Sequence, residues 1–522
     1  MFVEHHARIR PDTVAVVCGD SRLTYAELNA AANRAANGLR SIGIMPGDHV
    51  ALSCPNIPQF PIAYFGILKA GAVAVTLNVL FRSHEVAFHL KDSDAKAVLC
   101  FEGTADFPLA KVVKEGFDEV AACEKFVALE LDPAFRSSID GAISFAEITY
   151  NQPLTFQTCP TKPDDTAVIF YTSGTTGMPK GAEMTHMNLV MNAMIARDLV
   201  LSVADLGLGG TNVTLCTLPL FHSTAQNGQM NAAFYGGNTI VLLPRFEPQA
   251  MVDVIAKEKV NFWTGVPTMF WMLLKHVREN NIDTAPLREN LKLLFSGGAP
   301  MPVELMHEFE TVFGVRVLEG YGLSETSPVA MFSHAETKAK AGTVGQPLML
   351  TEVACFDDQD NPVEVGQAGE VVVRGHNVMK GYYNNPQATA EAMRGGWFHT
   401  GDIGVFDEDG YLSIVDRKKD MILRGGYNVY PRELEEVIMT HPAVSLVAVI
   451  GVPHEKYGEE VKAFIICKPS VAITENEMLD WCRVQISANK YPRLIEFCES
   501  LPTSATGKVL KRELRSIKVK AV

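Results

Sequence analysis

The chain has 522 residues, 47% hydrophobic and 20% charged, with a formal net charge of −14 from 46 basic and 60 acidic side chains. That length buries a large core and predicts two or more domains. The composition is that of a soluble globular protein, and the acidic balance argues against broad binding to nucleic acid or anionic membrane.

The N-terminal MFVEHHARIRPDT lacks an apolar h-region, which predicts no signal peptide. DTVAVVC then reads as a strand. Thr24 opens a helix with Glu27 three residues on, a capping-box arrangement, and the helix runs to about Leu39. HVALSC, AVAVTL, KAVLC and KFVALEL continue the strand pattern. TIVLLP, VNFWTG and LKLLFSGG add strands, separated by helical PQAMVDVIAKEK and PTMFWMLLKHVREN. Strands alternating with helices argue for α/β sheets that are largely parallel. After about residue 340 the texture changes. GEVVVRG, GYLSIVD and KDMILRGG are short strands between Gly- and Asp-rich turns, which predicts a β-rich subdomain over about 340–417. From about 430 a compact α+β pattern follows: helical PRELEEVIMTHP, strands VSLVAVIGVP and KAFIIC, helical ENEMLDWCRVQI. The boundary falls at DRKKD, giving an N-terminal domain over 1–417 and a small C-terminal domain over 418–522. No apolar stretch is long and unbroken enough to span a bilayer. The C-terminal KVKAV carries no prenylation or SKL-type signal. The ten cysteines form no CxxC pair, which excludes a zinc or dense disulfide framework and predicts reduced thiols in a cytosolic protein.

Four stretches carry chemistry. YTSGTTGMPKG, 171 to 181, gathers glycines and hydroxyls around Lys180 after an apolar strand. Glycines let backbone N–H groups approach an anion, and Thr172, Ser173, Thr175 and Thr176 add hydroxyl donors. It is not the NTPase loop G-x-x-x-x-G-K-[ST], because Pro179 and Gly181 flank the lysine. Its bland reading is a Gly/Thr hairpin turn. EGYGLSETSP brings an aromatic, a hydroxyl and Glu325, a hard-oxygen ligand suited to Mg²⁺; alone it reads equally as a capped helix start. In 396–437, Asp402 and Arg417 offer a carboxylate for ribose hydroxyls and a charged donor. In LPTSATGK, Lys508 follows Gly507; alone it reads as a solvated surface lysine.

In this order the four stretches closely resemble the adenylate-forming superfamily of acyl-CoA synthetases, amino-acid adenylation domains and firefly-type luciferases, over nearly the whole chain from DTVAVVCGDSRLTYAELN onward. The resemblance implies a large α/β N-terminal domain with a β-rich subdomain, and a small mobile α+β C-terminal domain. It implies a two-step reaction. A carboxylate attacks the α-phosphate of ATP, giving acyl-AMP and pyrophosphate, and a thiol then displaces AMP. ATP, Mg²⁺ and coenzyme A are the implied cofactor and co-substrates.

Residue by residue, Thr172, Ser173, Gly174, Thr175, Thr176, Gly177 and Lys180 match the phosphate loop, and Thr172 with Glu325 matches the Mg²⁺ site. Gly298, Ala299 and Pro300 match the adenine wall. Within Glu319, Gly320, Tyr321 and Gly322, Tyr321 matches the adenine-stacking ring. Ser324 matches the α-phosphate contact. Asp402 and Arg417 match the ribose pair, with Ile414 near the base, and Lys508 matches the lysine that bridges carboxylate and α-phosphate. Lys419 matches the hinge about which the C-terminal domain turns, and Gly425 and Gly426 match the pantetheine tunnel of the second step.

LPLFHSTAQNGQMNAAFYGG is expected to line the acid pocket. His222 stands where amino-acid adenylation domains carry Asp for the substrate ammonium, which argues against an α-amino acid; its bland reading is a structural histidine. Ala225, Gly228, Ala232 and Ala233, with Val266, Gly297 and Val329, predict a small-residue apolar wall. A medium- or long-chain fatty acid is the favoured substrate, with an aryl acid of benzoate or cinnamate type as the alternative. No carrier-protein domain follows residue 522, so free coenzyme A is the expected acceptor, and a separate carrier protein the alternative. A luciferase-like oxygenase and a non-catalytic nucleotide binder are the rivals from other classes. Retention of Lys508, Glu325, Asp402 and Arg417 weighs against the second. These motifs are compatible with a homo-oligomer and do not define one.

Overall fold

The computed structural model describes residues 2–131, 137–172, 178–201, 211–333, 339–418, 420–469, 471 and 473–516. Five assigned phosphate-loop positions, Ser173, Gly174, Thr175, Thr176 and Gly177, and the assigned hinge Lys419 lie outside these residues. Among the described residues, two large sheets make up most of the N-terminal part. One runs in the order Gln346–Pro347, Val329–Phe332, Val317–Gly322, Leu293–Gly297, Phe262–Gly265, Val213–Cys216, Thr239–Leu242, Val14–Cys18, Ser21–Thr24. The other runs Gly381–Tyr382, Lys180–Thr185, Thr166–Thr172, Val73–Thr76, His49–Ser53, Ala95–Phe101, Lys125–Leu129, Ile143–Ser144. Interior neighbours such as Phe262–Gly265 with Leu293–Gly297 are parallel, and antiparallel pairs sit toward the edges.

The local chemistry explains the elements. The Thr24 side chain accepts from the Glu27 amide at 3.2 Å and the Glu27 carboxylate accepts from the Thr24 amide at 2.8 Å, so the capping box forms and starts the helix Tyr25–Ser41. The central strands are apolar on both faces because helices cover both sides; Val50, Ala51 and Leu52 are fully buried, as are Ala97, Val98 and Leu99.

The stretch after residue 340 is shared out. Thr351–Phe356, Gly369–Gly375, Phe398–Phe406 and Leu412–Arg417 form their own antiparallel sheet. Gln346–Pro347 instead edges the first large sheet, and Gly381–Tyr382 the second. Beyond it, the strands Ile422–Arg424, Tyr427–Val429, Val444–His454, Gly458–Cys467 and Leu494–Phe497 form a further sheet with the helices Pro431–Met439 and Glu475–Gln485. The main hydrophobic core gathers residues from Val3 to Leu412, and a separate one begins at Ile422. Trp271 packs against the main core and against a C-terminal cluster around Leu446 and Phe464, and its indole N–H donates to Ser445 at 2.7 Å.

Candidate active site

The site forms where parallel strands end. Crevices outside the carboxyl ends of such strands are the usual binding places in open α/β sheets. Val213–Cys216 leads to His222. Phe262–Gly265 leads to Val266, Leu293–Gly297 to Gly298, Ala299 and Pro300, and Val317–Gly322 carries Glu319, Gly320, Tyr321 and Gly322. Gly297 lies opposite Gly320 in register. From the second sheet, Thr166–Thr172 ends on Thr172 and pairs antiparallel with Lys180–Thr185, so Thr172 and Lys180 are cross-strand partners. The phosphate-loop assignment therefore falls within a hairpin, and the helix His186–Leu201 starts only after the second strand.

After Gly322 the chain makes a short turn, Ser324–Thr326, that aims Glu325 inward. A Cβ on Gly322 would lie 1.8 Å from the Pro328 carbonyl oxygen, so only glycine permits this turn. The Glu325 carboxylate, 7% exposed, accepts from the Thr172 hydroxyl at 2.9 Å and the Tyr382 hydroxyl at 3.1 Å. The Lys180 ammonium lies 5.1 Å from the centre of the Tyr382 ring. Thr172, Lys180, Tyr382 and Glu325 thus close a ring of contacts. Among the described residues no cluster of three or more His, Cys, Asp or Glu could cage a metal. One carboxylate beside one hydroxyl suits Mg²⁺, which arrives with phosphate oxygens and keeps several waters.

Residues that the resemblance assigns to the nucleotide come together from two sheets. Asp402 and Arg417 are register partners, with Arg417 Nε 3.1 Å from one Asp402 oxygen. The Tyr321 hydroxyl donates to the other at 2.7 Å. A carboxylate offers about four acceptor positions, so capacity for ribose hydroxyls is left on a preorganised group. Asp402 raises the Arg417 pKa, so the guanidinium stays charged. Burial, then the Asp402 charge, pushes the Tyr321 phenol far up, so it remains a donor. Ile414 pairs with Gly404 and lines a crevice with Val303, Gly342, Val415 and Arg432.

Lys508 reaches this site from the C-terminal part. Its amide donates to Ser504 Oγ at 3.2 Å, its carbonyl accepts from the Ser504 amide at 2.8 Å, and Thr268 donates to the Gly507 carbonyl at 2.6 Å. A Cβ built on Gly298 would lie 3.3 Å from Lys508 Cε. Burial, then the Lys508 charge, pushes His222 down to about 3, so its ring is neutral at any working pH. The Thr224 amide donates to His222 Nδ1 at 3.3 Å, which leaves the ring proton on Nε2. Ser324 Oγ lies 3.1 Å from Ser223 Oγ.

The expected acid wall is built differently from its sequence appearance. Residues Thr224–Asn231 form a π-helix, a form that concentrates at functional sites. Ala225 and Val266 are buried in the main core, whereas Gly228, Gly297 and Val329 are partly accessible. Gln226, Asn227, Gln229 and Asn231 are buried and turned away on bonds to Leu220 O, Ser327 O, Leu215 O and the Tyr64 hydroxyl. Gly425 and Gly426, with φ of 58° and 84°, form the two-residue turn between Ile422–Arg424 and Tyr427–Val429. The Gly425 amide bonds the Tyr457 carbonyl of the same domain. Sequence reasoning missed Tyr382, whose two-residue strand gives almost no pattern, and Ser223.

Residues 3–383 match the family model described as AMP-binding enzyme, and residues 433–508 match the AMP-binding enzyme C-terminal domain. A feruloyl-CoA synthase from Amycolatopsis sp is 37% identical over 510 residues, covering 98% of this chain and 96% of that protein. A long-chain-fatty-acid–CoA ligase from Bacillus subtilis (strain 168) is 34% identical over 524 residues, covering 97% and 91%. Among solved structures, the anthranilate CoA ligase AuaEII in complex with anthranoyl-AMP superposes with a TM-score of 0.89 at 28% identity, over 99% of this chain and 96% of that one. ATP-bound MatB from Rhodopseudomonas palustris superposes at 0.87 and apo MatB at 0.77, both at 30% identity over 99% of each chain.

Proposed function

The chain belongs to the AMP-binding enzyme family, and from that premise we propose that it ligates an apolar monocarboxylic acid, a medium- or long-chain fatty acid, to coenzyme A. It is an AMP-forming acid–thiol ligase that uses ATP, Mg²⁺ and coenzyme A. What supports the acid class is that His222, the residue assigned to the substrate carboxylate, is neutral, and that Gly228, Gly297 and Val329 of the assigned wall are small or apolar and partly accessible. A neutral ring donates one hydrogen bond from Nε2 to a substrate carboxylate but is no counter-ion for a second charge. An aryl acid is the second reading, favoured by the feruloyl-CoA synthase relative.

In the first half-reaction a carboxylate oxygen attacks the α-phosphorus. The bond from that phosphorus to the bridging oxygen breaks, and its electron pair leaves with pyrophosphate. Two anions repel as they meet, so preorganised positive charge lowers the barrier most. We assign Lys508 to bridge the carboxylate and α-phosphate, Ser324 to the α-phosphate, and Thr172 and Lys180 to the leaving phosphates. Tyr321 faces the adenine and Asp402 with Arg417 the ribose. Glu325 and Thr172 would hold Mg²⁺, which would supply Lewis-acid stabilisation of phosphate charge. In the second half-reaction the coenzyme A thiolate attacks the acyl carbon and AMP leaves with the electrons of the broken C–O bond. Lys508 occupies the side the thiol needs, so the C-terminal domain turns between steps, with Lys419 as hinge and the Gly425–Gly426 turn brought to the tunnel. The better superposition on ATP-bound than on apo MatB supports reading this arrangement as that of the first step.

We place the enzyme in the cytoplasm. All ten cysteines are free, and among the described residues no helix is long and apolar enough to cross a membrane. The test is pyrophosphate release and AMP formation across fatty and aryl acids, with and without coenzyme A. AMP and acyl-CoA appearing together with fatty acids is expected. Turnover confined to aryl acids refutes the acid class, and pyrophosphate without coenzyme A-dependent turnover refutes the acceptor.

A further inference from the structure

Arg432 opens the C-terminal helix Pro431–Met439, yet most of its partners lie on the other side of the domain boundary. Its guanidinium donates to the Met301 carbonyl at 3.0 Å and its amide to Asp416 at 3.1 Å. It pairs at 2.5 Å with Glu436 one turn along its own helix, and Glu436 in turn accepts from the Val303 amide at 3.3 Å. The fully buried Met301 is held from its other end, because its amide donates to Glu319 at 3.2 Å. Residues 301–303 continue directly from Gly298, over which Lys508 lies. One helix end therefore clasps the backbone beside the contact that the first half-reaction uses.

We propose that Arg432 is a positioning residue for adenylation: it docks the C-terminal domain on the 301–303 backbone so that Lys508 lies over Gly298, and it lets go when the domain turns for thioester formation. This rests on the two-step reading above. A planar guanidinium serves the Met301 carbonyl and the Glu436 carboxylate at once, which a lysine point charge does less well. The docked state also places a cation near buried Glu319, whose carboxyl burial raises and Arg432 lowers. The helix anchors itself in the C-terminal core through Leu434 and Ile438.

The test uses Arg432→Met and Arg432→Lys in the full chain, with the half-reactions measured separately: pyrophosphate release from acid and ATP, and acyl-CoA formation from synthetic acyl-AMP and coenzyme A. A positioning error of an ångström costs roughly 10²-fold in rate. Adenylation by Arg432→Met is expected to fall about 10- to 100-fold, with thioester formation nearly unchanged and Arg432→Lys intermediate. Hydrogen exchange in the peptide spanning 299–304 is expected to quicken in Arg432→Met, because the Val303 amide loses its docked acceptor. Equal loss in both half-reactions, unchanged adenylation, or unchanged exchange overturns the proposal. Wild-type enzyme that releases no pyrophosphate with any acid overturns the two-step reading instead, and the exchange measurement still decides the docking. If Arg432→Met does not fold, Arg432→Lys carries both measurements.

Discussion

Gly298→Ala is a small change with a calculable effect on one half-reaction. Gly298 has φ +77°, so any Cβ there sits in the left-handed region and costs about 1–2 kcal/mol. That strain is borne in every state of the folded enzyme and lowers stability without selecting a step. The selective part is steric. The new methyl would stand 3.3 Å from Lys508 Cε and 3.7 Å from Val266 Cγ1. Val266 is 3% exposed and packed into the core, so the lysine is what gives. An approach that close displaces it by a few tenths of an ångström. If a whole ångström costs roughly 10²-fold, adenylation should drop about 5- to 10-fold. Thioester formation should hold within about twofold, because the proposed turn of the C-terminal domain withdraws Lys508 before that step. The assay is single-turnover kinetics of each half-reaction, with pyrophosphate release for the first and acyl-CoA from supplied acyl-AMP for the second. Equal slowing of both, or a raised KM for ATP at unchanged kcat, would refute the idea that this residue acts through Lys508.

Two other predictions follow the same geometry. Lys508→Ala should lower adenylation about 10²- to 10³-fold, the usual cost of removing one preorganised donor, while preserving thioester formation from supplied acyl-AMP; comparable loss of both steps would sink the bridging role. Burial, which Arg432 only partly offsets, pushes the Glu319 carboxyl up from 4.5 to about 7. Between those values the folded state holds a proton that the unfolded chain has lost. The stability this group contributes is therefore fully present below about pH 4.5 and is lost as pH rises through about 7. Glu319→Gln, neutral throughout, should thus gain in Tm over wild type as pH goes from about 5 to about 8. A Tm difference that does not change with pH would show that the buried charge is not the cause.

Much of the fold could be read from residue order where local signals build the backbone. A capping box at Thr24 and Glu27 needs only two side chains three residues apart, and both bonds form. The pairing of Asp402 with Arg417 follows from two strands joined by a Gly-containing turn. What stayed hidden depends on distant chain segments. TAQNGQMN is expected, with its neighbours, to contribute small residues to the acid wall. It becomes a buried π-helix because backbone carbonyls at Leu215, Leu220 and Ser327 absorb its amide side chains. Tyr382 reaches Glu325 because its short strand pairs with Lys180–Thr185, about two hundred residues earlier in the chain. Arg432 has a helix-start signature from Pro431, and nothing nearby in the chain announces that its partners are Met301 and Asp416.

The register of Thr172 against Lys180 bears on the phosphate role proposed for them. A phosphate loop that runs from a strand into a helix has two ends on separate elements, so emptying it can involve moving one against the other. Here Thr172 and Lys180, which flank the loop, form one rung of a single ladder, and Tyr382 and Glu325 brace that rung from the side. The spacing between Thr172 and Lys180 is set by the sheet. On the roles proposed above, phosphate exchange would then pass a frame fixed by the sheet, apart from the proposed turn of the C-terminal domain.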